Sequence, residues 1–353
     1  MDVRAARLMS TGWPDNLAIR WWKLTKGQRA WSRLDSQTWD WEISFGPVID
    51  ELMPDVIHAN DHRMLAIGAR ATNRLRVAGQ FTRLVWDAHE WLVGTDRPNH
   101  SRRWKAAQVL LEQTYAHHAD AVVTVSDTLA EMLRVEFDLP ALPTVVINAP
   151  LSSGIVAPDA NVREVIGLGP EVPLLLYSGV ITPARSVDTI VRALPELPGV
   201  HFVMVVLNDT QPAVIRLLNL ADELGVRDRM HLAPFVPVNQ IVPYLAGADV
   251  GVHSLLHGPN NEIALATKYY EYAQARLPIV VTDVKVMAET TRRLGLGEVW
   301  TAGDPADLAR AVSLVLADRD RYLAAYDDEN LMRSWTWEAQ ADTLDALYRS
   351  LLA

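Results

Sequence analysis

A lysine and a glutamate stand three positions apart in the segment TKYYEYAQARLPIVVTD, residues 267–283, near the start of an apolar helix. We expect Thr267 to be the N-cap residue, and a capping box would then require a glutamate at position 270, which is Tyr270. Glu271 comes one residue too late for that role. A Lys268–Glu271 ion pair is a second structural explanation, although the apolar flanks are a poor setting for a solvated pair.

Ligand binding explains these two residue types better than capping or a solvated ion pair does. A carboxylate at the mouth of an α/β cleft can accept two hydrogen bonds from a sugar diol. A lysine and the free amides of the same first helical turn suit a phosphate group. The segment therefore predicts that Glu271 binds a diol and that Lys268 lies beside a phosphate.

A second candidate site follows the strand expected at 172–178, in the segment YSGVITPARS. Gly179 ends that strand, and a glycine there allows a sharp turn and the close approach of a ligand. Arg185 precedes the helix expected at 186–195. A guanidinium beside the free amides of a helix start is an anion site. An ordinary strand–loop–helix connection with a solvated arginine remains the alternative for this segment taken alone.

The histidines at strand ends are weaker candidates. His89, in WDAHE, follows a strand and is compatible with either a structural or a functional role. His58 and His62, like His253 and His257, have the i,i+4 spacing of a metal pair. These pairs lie at strand ends and not along helices, so we expect no metal site from them.

Strands and helices alternate from about residue 55 onwards, which predicts parallel sheets covered by helices on both faces. Strands are expected at 55–61, 82–90, 119–127, 143–150, 172–178, 201–207, 229–233, 248–252, 278–282 and 298–301. Helices are expected between them, and either Ser126 or Asp127 is expected to cap the helix at 128–136.

A loose stretch at 151–171, rich in Ser, Gly and Pro, interrupts this alternation and reads as a linker. The fold class is therefore α/β, with two doubly wound domains at 1–160 and 161–335. The tail at 336–353 is expected to be an amphipathic helix. Two such domains would leave a ligand cleft at the carboxyl ends of their strands.

Composition limits the classes of function. The chain has 353 residues and a formal net charge of −10, which argues against nucleic-acid binding. The absence of cysteine excludes disulfides and thiolate zinc sites and fits a cytoplasmic location. No apolar run approaches 18 residues, and the first residues lack the apolar core of a signal peptide.

Tryptophans are concentrated near the N-terminus, where no buried strand is evident. Packing of peripheral helices is the ordinary explanation, and an aromatic surface for an acceptor, a partner or a membrane is the alternative. The tryptophans of residues 1–50 are Trp13, Trp21, Trp22, Trp31, Trp39 and Trp41.

From about residue 55 to 350, the chain resembles the retaining glycosyltransferases of the GT-B fold, in the group 1 or family 4 type that uses nucleotide-sugar donors. YSG followed by Arg185 resembles the strand–glycine–loop–basic signature of that group. TKYYEYAQARLPIVVTD resembles its PxK-xxEY-xAxGxPVV signature, although Arg276 stands at the glycine. WDAHE and the tail SWTWEAQADTLDALYRSLL also resemble segments of the group, the tail being its final helix that crosses back to the first domain.

The resemblance implies two Rossmann-like domains, with Glu271 on the ribose hydroxyls of the donor. Arg185 and Lys268 would hold the diphosphate and stabilise the leaving group, and His89 would contact the donor sugar from the N-terminal domain. The remaining donor-binding positions that the resemblance implies are Gly179, Asn261, Glu262, Ile263, Ala264 and Thr267.

The reaction implied is transfer of a hexose from a UDP- or GDP-sugar to a hydroxyl acceptor, with retention of configuration. The acceptor would be a glycan, a lipid-linked compound or a small molecule. Neither a cofactor nor a divalent metal is implied, and the expected location is the cytoplasm, with peripheral contact to the inner face of the membrane.

Two alternatives stay open from the sequence. The opening strand and Gly-rich loop of the group are not recognisable in residues 1–50, and Ile263 stands where the group has the earlier of two glutamates. The missing opening segment favours a non-catalytic protein that serves as a binding or scaffold subunit. A sugar-nucleotide epimerase of the same fold is the other alternative, but it would need additional acid–base carboxylates.

Overall fold

The computed structural model describes residues 36–95, 102–263 and 265–353, together with residues 21, 24 and 25. The chain divides into two compact units. Unit 1 comprises Met1–Val146 and Leu344–Ala353, and unit 2 comprises Ile147–Thr343.

Unit 1 is built on a parallel sheet. Its strands are β1 (Val56–Asn60), β2 (Arg83–Asp87), β3 (Ala121–Thr124) and β4 (Thr144–Val145). Its helices, as far as the structure describes them, are α1 (Ser36–Leu52), α2 (Asp61–Val77), α3 (Arg102–Tyr115) and α4 (Asp127–Glu136). The strands are hydrogen-bonded in the order β1-β2-β3-β4. The N-cap of α4 is Ser126, whose side chain accepts a hydrogen bond from the amide of Leu129 at 3.2 Å.

Unit 2 holds a six-stranded parallel sheet within the described part of the chain. Its strands are β5 (Leu174–Ser178), β6 (His201–Val206), β7 (Met230–Pro234), β8 (Val250–His253), β9 (Ile279–Thr282) and β10 (Gly297–Trp300). The helices up to β10 are α5 (Val162–Val165), α6 (Val187–Ala193), α7 (Pro212–Glu223), α8 (Ile241–Leu245), α9 (Thr267–Gln274) and α10 (Lys285–Leu294). The later helices are α11 (Pro305–Ala317), α12 (Arg319–Leu323), α13 (Glu329–Ser334) and α14 (Trp337–Leu352).

The strands of unit 2 are almost wholly apolar because both faces of the sheet are covered. Every residue of β5, β8 and β9 is buried. One hydrophobic core lies on each face of the sheet, and alternate residues of β5 supply the two cores, Leu175 and Tyr177 to one and Leu174 and Leu176 to the other. Burial of this kind holds the carboxyl ends of the strands at fixed spacing, which is what a ligand site at that edge requires.

The strand predicted at 143–150 is much shorter in the structure, where only Thr144 and Val145 pair with β3. The amide of Ile147 donates instead to the side chain of Gln340 at 3.0 Å, and the carbonyl of Pro150 accepts from the amide of Trp337 at 2.8 Å. These bonds tie the chain after β4 to the start of α14.

The same bonds explain where unit 2 begins. The sequence placed the boundary at residue 160, but the structure assigns residues from Ile147 onwards to unit 2. Glu338 accepts hydrogen bonds from the amides and hydroxyls of Ser152 and Ser153 at 2.5–3.2 Å. The predicted linker also contains α5, which begins with a capping box between Asn161 and Glu164.

The final helix, α14, is divided between the two units, with its first residues in unit 2 and Leu344 onwards in unit 1. In unit 1, the hydroxyl of Tyr348 lies 2.7 Å from Nδ1 of His58. Among the described residues, no helix is both long and apolar enough to cross a membrane.

Of the N-terminal tryptophans, Trp13, Trp22 and Trp31 and the side chain of Trp39 lie outside the described residues. Trp21 is exposed. The Arg63 guanidinium carbon lies 5.9 Å from the ring centroid of Trp41.

Candidate functional site

The candidate residues of unit 2 gather where its strand order reverses. The sheet runs β10-β9-β8-β5-β6-β7, so the chain builds outward from β5 through β6 and β7 and then returns to the other side of β5 at β8. Ligands of open α/β sheets bind at the carboxyl ends of the strands beside such a switch point. The loops after β5 and β8 therefore frame the site.

Backbone hydrogen bonds hold these two loops together. The amide of Leu256 donates to the carbonyl of Ala184 at 2.9 Å, and the hydroxyl of Ser254 donates to the carbonyl of Ser186 at 3.2 Å. Arg185 lies between these two carbonyls, at the end of the 3-10 turn Pro183–Arg185. The backbone of this segment is consequently fixed from the side of β8.

Gly179 takes a conformation that other residues avoid. Its φ angle is +150°, and a Cβ atom at this position would lie 3.4 Å from the hydroxyl of Tyr177. That hydroxyl donates to the carbonyl of Val180 at 2.9 Å and closes the turn. The sharp turn predicted from the sequence is thus present at the end of β5.

Arg185 contacts a histidine that was not among the predicted site residues. Nη1 of Arg185 lies 3.3 Å from Nε2 of His253, the last residue of β8. His253 is only 1% exposed. Burial, together with the positive charges of Arg185 and Lys268, lowers the pKa of His253 to about 3, so its ring is neutral at physiological pH. The signal available in the sequence was its position at the end of the strand next to β5.

Lys268 and Glu271 form an ion pair, but not the solvated one considered from the sequence. Nζ of Lys268 donates to Oε2 of Glu271 at 2.7 Å, and their side chains are only 17% and 7% exposed. Burial raises the pKa of Glu271 above its ordinary value, and the nearby Lys268 opposes that shift. The second oxygen of Glu271, Oε1, has no hydrogen bond to a described residue. Nζ of Lys268 also lies 5.4 Å from the ring centroid of Phe235, after β7.

The N-cap prediction for α9 was wrong. The cap is Ala266, which offers no side-chain hydrogen bond, and Thr267 is the first helical residue. The amides of Thr267 and Lys268 have no acceptor within the helix, as in the first turn of any helix. They lie at the positive end of the helix dipole, beside the lysine.

Tyr272 fixes α9 on the sheet directly under the switch point. Its hydroxyl accepts a hydrogen bond from the amide of Ser178, the last residue of β5, at 2.8 Å. Its ring packs against Gly251 of β8, where a Cβ atom would lie 2.6 Å from Cδ2 of the ring. Since Glu271 is the residue before Tyr272, this packing also sets the position of the carboxylate.

The loop after β8 is braced by its own polar side chains. Nδ2 of Asn261 donates to the carbonyl of Leu256 at 2.8 Å. Oε2 of Glu262 accepts from the amide of Lys285 at 2.6 Å, at the start of α10. Glu262 and Asn261 therefore shape this loop, and the side chain of Ile263 is buried. Ala264 lies outside the described residues.

His257 joins this loop to the next one. Its Nδ1 lies 2.7 Å from Oε1 of Glu262, and its Nε2 lies 3.1 Å from Oδ1 of Asp283. The hydrogen bond to Glu262, with the charges of both carboxylates, raises the pKa of His257.

His89 lies in unit 1, after β2, whereas the other described candidates lie in unit 2. Nδ1 of His89 is 3.7 Å from Oδ1 of Asp87. This interaction raises the pKa of His89. Burial alone would raise the pKa of Asp87, but its hydrogen bonds with His58 and His89 hold that pKa at about 2. Contact of His89 with a donor sugar stays a prediction.

Within the described ranges, no three His, Asp or Glu side chains are grouped so that they could hold a metal ion.

Comparison with protein-family models assigns most of the chain. The model for glycosyl transferases group 1 matches residues 159–329, and the model for glycosyltransferase family 4 matches residues 8–151. A comparison with curated proteins gives no match.

Several solved structures share the fold at low sequence identity. Sucrose-phosphate synthase from Thermosynechococcus elongatus is 20% identical with a TM-score of 0.70, over 89% of this chain and 77% of that one. Anabaena HepE in complex with UDP is 18% identical with a TM-score of 0.68, over 88% and 82% of the two chains. A glycosyltransferase from Rickettsia africae is 13% identical with a TM-score of 0.67, over 88% and 80%.

Proposed function

The chain belongs to the glycosyltransferases of the GT-B fold, and from that premise we propose that it transfers a hexose from a UDP- or GDP-sugar to a hydroxyl acceptor with retention of configuration. The fold neighbour HepE has been solved with UDP and with UDP-glucose, which supports a nucleotide-sugar donor here. The retention of configuration rests on the resemblance of the motifs.

The buried Lys268–Glu271 pair is the observation that carries the donor proposal. A cation and a carboxylate lie side by side at the start of α9, next to the switch point of a doubly wound sheet. Oε1 of Glu271 is the oxygen left to accept hydrogen bonds from the ribose hydroxyls. Lys268 and the first amides of α9 are then the groups that bind phosphate.

Arg185 supplies the second cation of the proposed site, on the loop after β5. In the described residues its guanidinium forms no ion pair, so its charge is free for an anionic ligand. Together, Arg185 and Lys268 would stabilise the negative charge that grows on the departing diphosphate.

The proposed chemistry follows from these roles. The bond between the sugar and the diphosphate breaks, and the acceptor oxygen attacks from the same face of the sugar. A phosphate oxygen of the leaving group takes the proton of the acceptor hydroxyl, so no protein nucleophile is used. Since Arg185 and Lys268 would both place positive charge beside the diphosphate, we also propose that no divalent metal is needed, and full turnover in EDTA would be the expected result.

Calorimetry with UDP and GDP tests the donor proposal. Binding of one of them is the expected result, and absence of binding by both contradicts it. A panel of nucleotide sugars, with mass detection of products, then separates the activities. Transfer to an acceptor supports the proposed enzyme, binding without turnover identifies a non-catalytic binding protein, and an isomerised nucleotide sugar identifies an epimerase.

A further inference from the structure

His253 is a buried histidine whose role the donor proposal does not explain. It ends β8, it is 1% exposed, and its Nε2 atom lies 3.3 Å from Nη1 of Arg185. Its other nitrogen, Nδ1, is buried and has no hydrogen-bond partner within the described part of the chain. A buried polar atom without a partner is destabilising, so this side chain lowers the stability of the fold.

We propose that His253 is a positioning residue for donor binding, which accepts a hydrogen bond from Arg185 and thereby aims the guanidinium at the switch point between β5 and β8. The proposal rests on the donor role of Arg185 given above.

The need for such a residue follows from how Arg185 is held. Hydrogen bonds from Leu256 and Ser254 fix the backbone on either side of it, at Ala184 and Ser186. They do not restrict the long side chain, which has many rotamers and loses conformational entropy when a ligand orders it. The hydrogen bond to His253 removes part of that freedom before the ligand arrives, which is preorganisation.

The charge of the group that accepts the hydrogen bond from Arg185 matters as much as its position. A carboxylate in place of His253 would orient Arg185 equally well, but Lys268 already has Glu271 as its partner, and both cations of the proposed site would then be paired with carboxylates. A neutral imidazole orients the guanidinium and leaves its full positive charge available. The groups that act on His253 are the cations Arg185 and Lys268, and both oppose its protonation.

The protonation state also assigns the tautomer. Since Nε2 accepts the hydrogen bond from Arg185, the single ring proton is on Nδ1. The hydrogen bond between Arg185 and His253 is then maintained from pH 5 to 9, because the ring stays neutral over that range.

Binding measurements on His253→Leu and His253→Gln test the proposal, with UDP and uridine as probes, or with GDP and guanosine if the wild type prefers GDP. Leucine removes the acceptor, whereas the side-chain oxygen of glutamine can replace Nε2. We expect His253→Leu to weaken UDP binding about tenfold and uridine binding little, and His253→Gln to retain most of the affinity. In an Arg185→Ala background, His253→Leu should have no further effect.

His231→Leu is the matched control, because His231 lies on β7 of the same sheet and pairs with His201, not with a candidate residue. It should leave UDP binding unchanged. Nitrogen NMR of His253 gives a readout that needs no ligand, and a neutral ring protonated on Nδ1 between pH 5 and 8 is expected.

Four results would overturn the inference while leaving the proposed function intact. They are unchanged UDP binding by folded His253→Leu, equal losses for UDP and uridine, an undiminished loss without Arg185, or titration of His253 near neutral pH. Failure of the wild type to bind any nucleoside diphosphate would instead overturn the proposed function, and the donor role of His253 with it.

Discussion

Nζ of Lys268 and Oε2 of Glu271 lie 2.7 Å apart in a setting where neither side chain is more than 17% exposed. An exposed pair at this helical spacing contributes only a few tenths of a kcal/mol, whereas a buried carboxylate left without its partner is strongly destabilising. The pair therefore has a structural role, and the proposed ligand contacts are additional to it. Experiments on either residue have to separate the two roles.

Glu271→Ala should weaken binding of the preferred nucleoside diphosphate by about 10- to 100-fold, because a hydrogen bond to a charged group contributes about 1.5–3 kcal/mol. The loss should appear equally with the free nucleoside, since the ribose is the part contacted. Calorimetry with UDP and uridine, or with GDP and guanosine, provides both numbers.

Glu131→Ala is the control for this change. Glu131 and Arg134 have the same i,i+3 spacing, but they are exposed and belong to α4 of unit 1. If Glu271→Ala binds the ligand as tightly as Glu131→Ala does, the ribose-binding role is wrong. Thermal denaturation of both variants shows how much the buried ion pair contributes to stability.

Arg276→Gly should stabilise the protein by about 0.5–1 kcal/mol. Arg276 follows α9 with a φ angle of +54°, and the amides of Arg276 and Leu277 bond to the carbonyls of Ala273 and Tyr272 in a Schellman motif. Glycine adopts this conformation without strain, and the exposed contact of Arg276 with Asp327 contributes little. Urea denaturation measures the gain. Arg276→Ala keeps the Cβ atom, so an equal gain in that variant would refute the explanation.

Glu112→Gln should stabilise unit 1 increasingly as the pH rises. Glu112 is 3% exposed in α3, and burial, reinforced by the charges of Glu136 and Asp61, raises its pKa to about 9. The folded protein therefore holds a proton that the unfolded chain releases near pH 4.5. The stability that comes from holding this proton is complete below pH 4.5 and is lost as the pH rises towards 9.

Glutamine imitates the protonated acid without this loss, so the advantage of the variant should be near zero at pH 4.5 and about 3 kcal/mol at pH 7. Urea midpoints at pH 5, 6, 7 and 8 give the slope. Glu131→Gln, at an exposed site, should show no change of its stability difference from wild type with pH. A constant difference between Glu112→Gln and wild type across that range would mean that Glu112 is ionised in the folded state.

The loop of Asn261 and Glu262 should loosen as the pH rises. His257 has a pKa above 6.5 because Glu262 and Asp283 favour its charged form. Because the pKa of His257 is raised in the folded state, its interactions with Glu262 and Asp283 stabilise the loop fully below pH 6.5. This stabilisation is lost as the pH rises through the folded pKa. Amide exchange of residues 257–263, corrected for its intrinsic pH dependence, should be faster at pH 8 than at pH 6. His257→Gln should remove the difference, and persistence of the difference would assign it to another group.

The sequence predicted the alternation of elements well because buried strands of a doubly wound sheet are nearly continuous apolar runs. All six strands of unit 2 lie where the pattern placed them, within a few residues. The strand at 143–150 failed because Ile147 bonds to Gln340, far along the chain, and no local pattern carries that information.

The candidate site was harder to predict, since its contacts join residues that are distant in sequence. The N-cap of α9 was misplaced because Ala266 offers no capping side chain, so the helix start carries no local signal. His253 was considered only as half of a metal pair with His257. Its contact with Arg185 depends on β5 and β8 being neighbours, which the order of strands along the chain does not state.

Gly251 restricts which substitutions this enzyme tolerates, although it is not one of the residues proposed to contact the ligand. Any larger residue there would meet the ring of Tyr272, whose hydroxyl accepts the amide hydrogen of Ser178. Displacing that ring moves the neighbouring Glu271, although Gly251 itself lies inside the sheet. With the donor role proposed for Glu271, donor preference is therefore restricted from within the core, and changes in specificity should accumulate in the loops while this glycine–tyrosine contact persists.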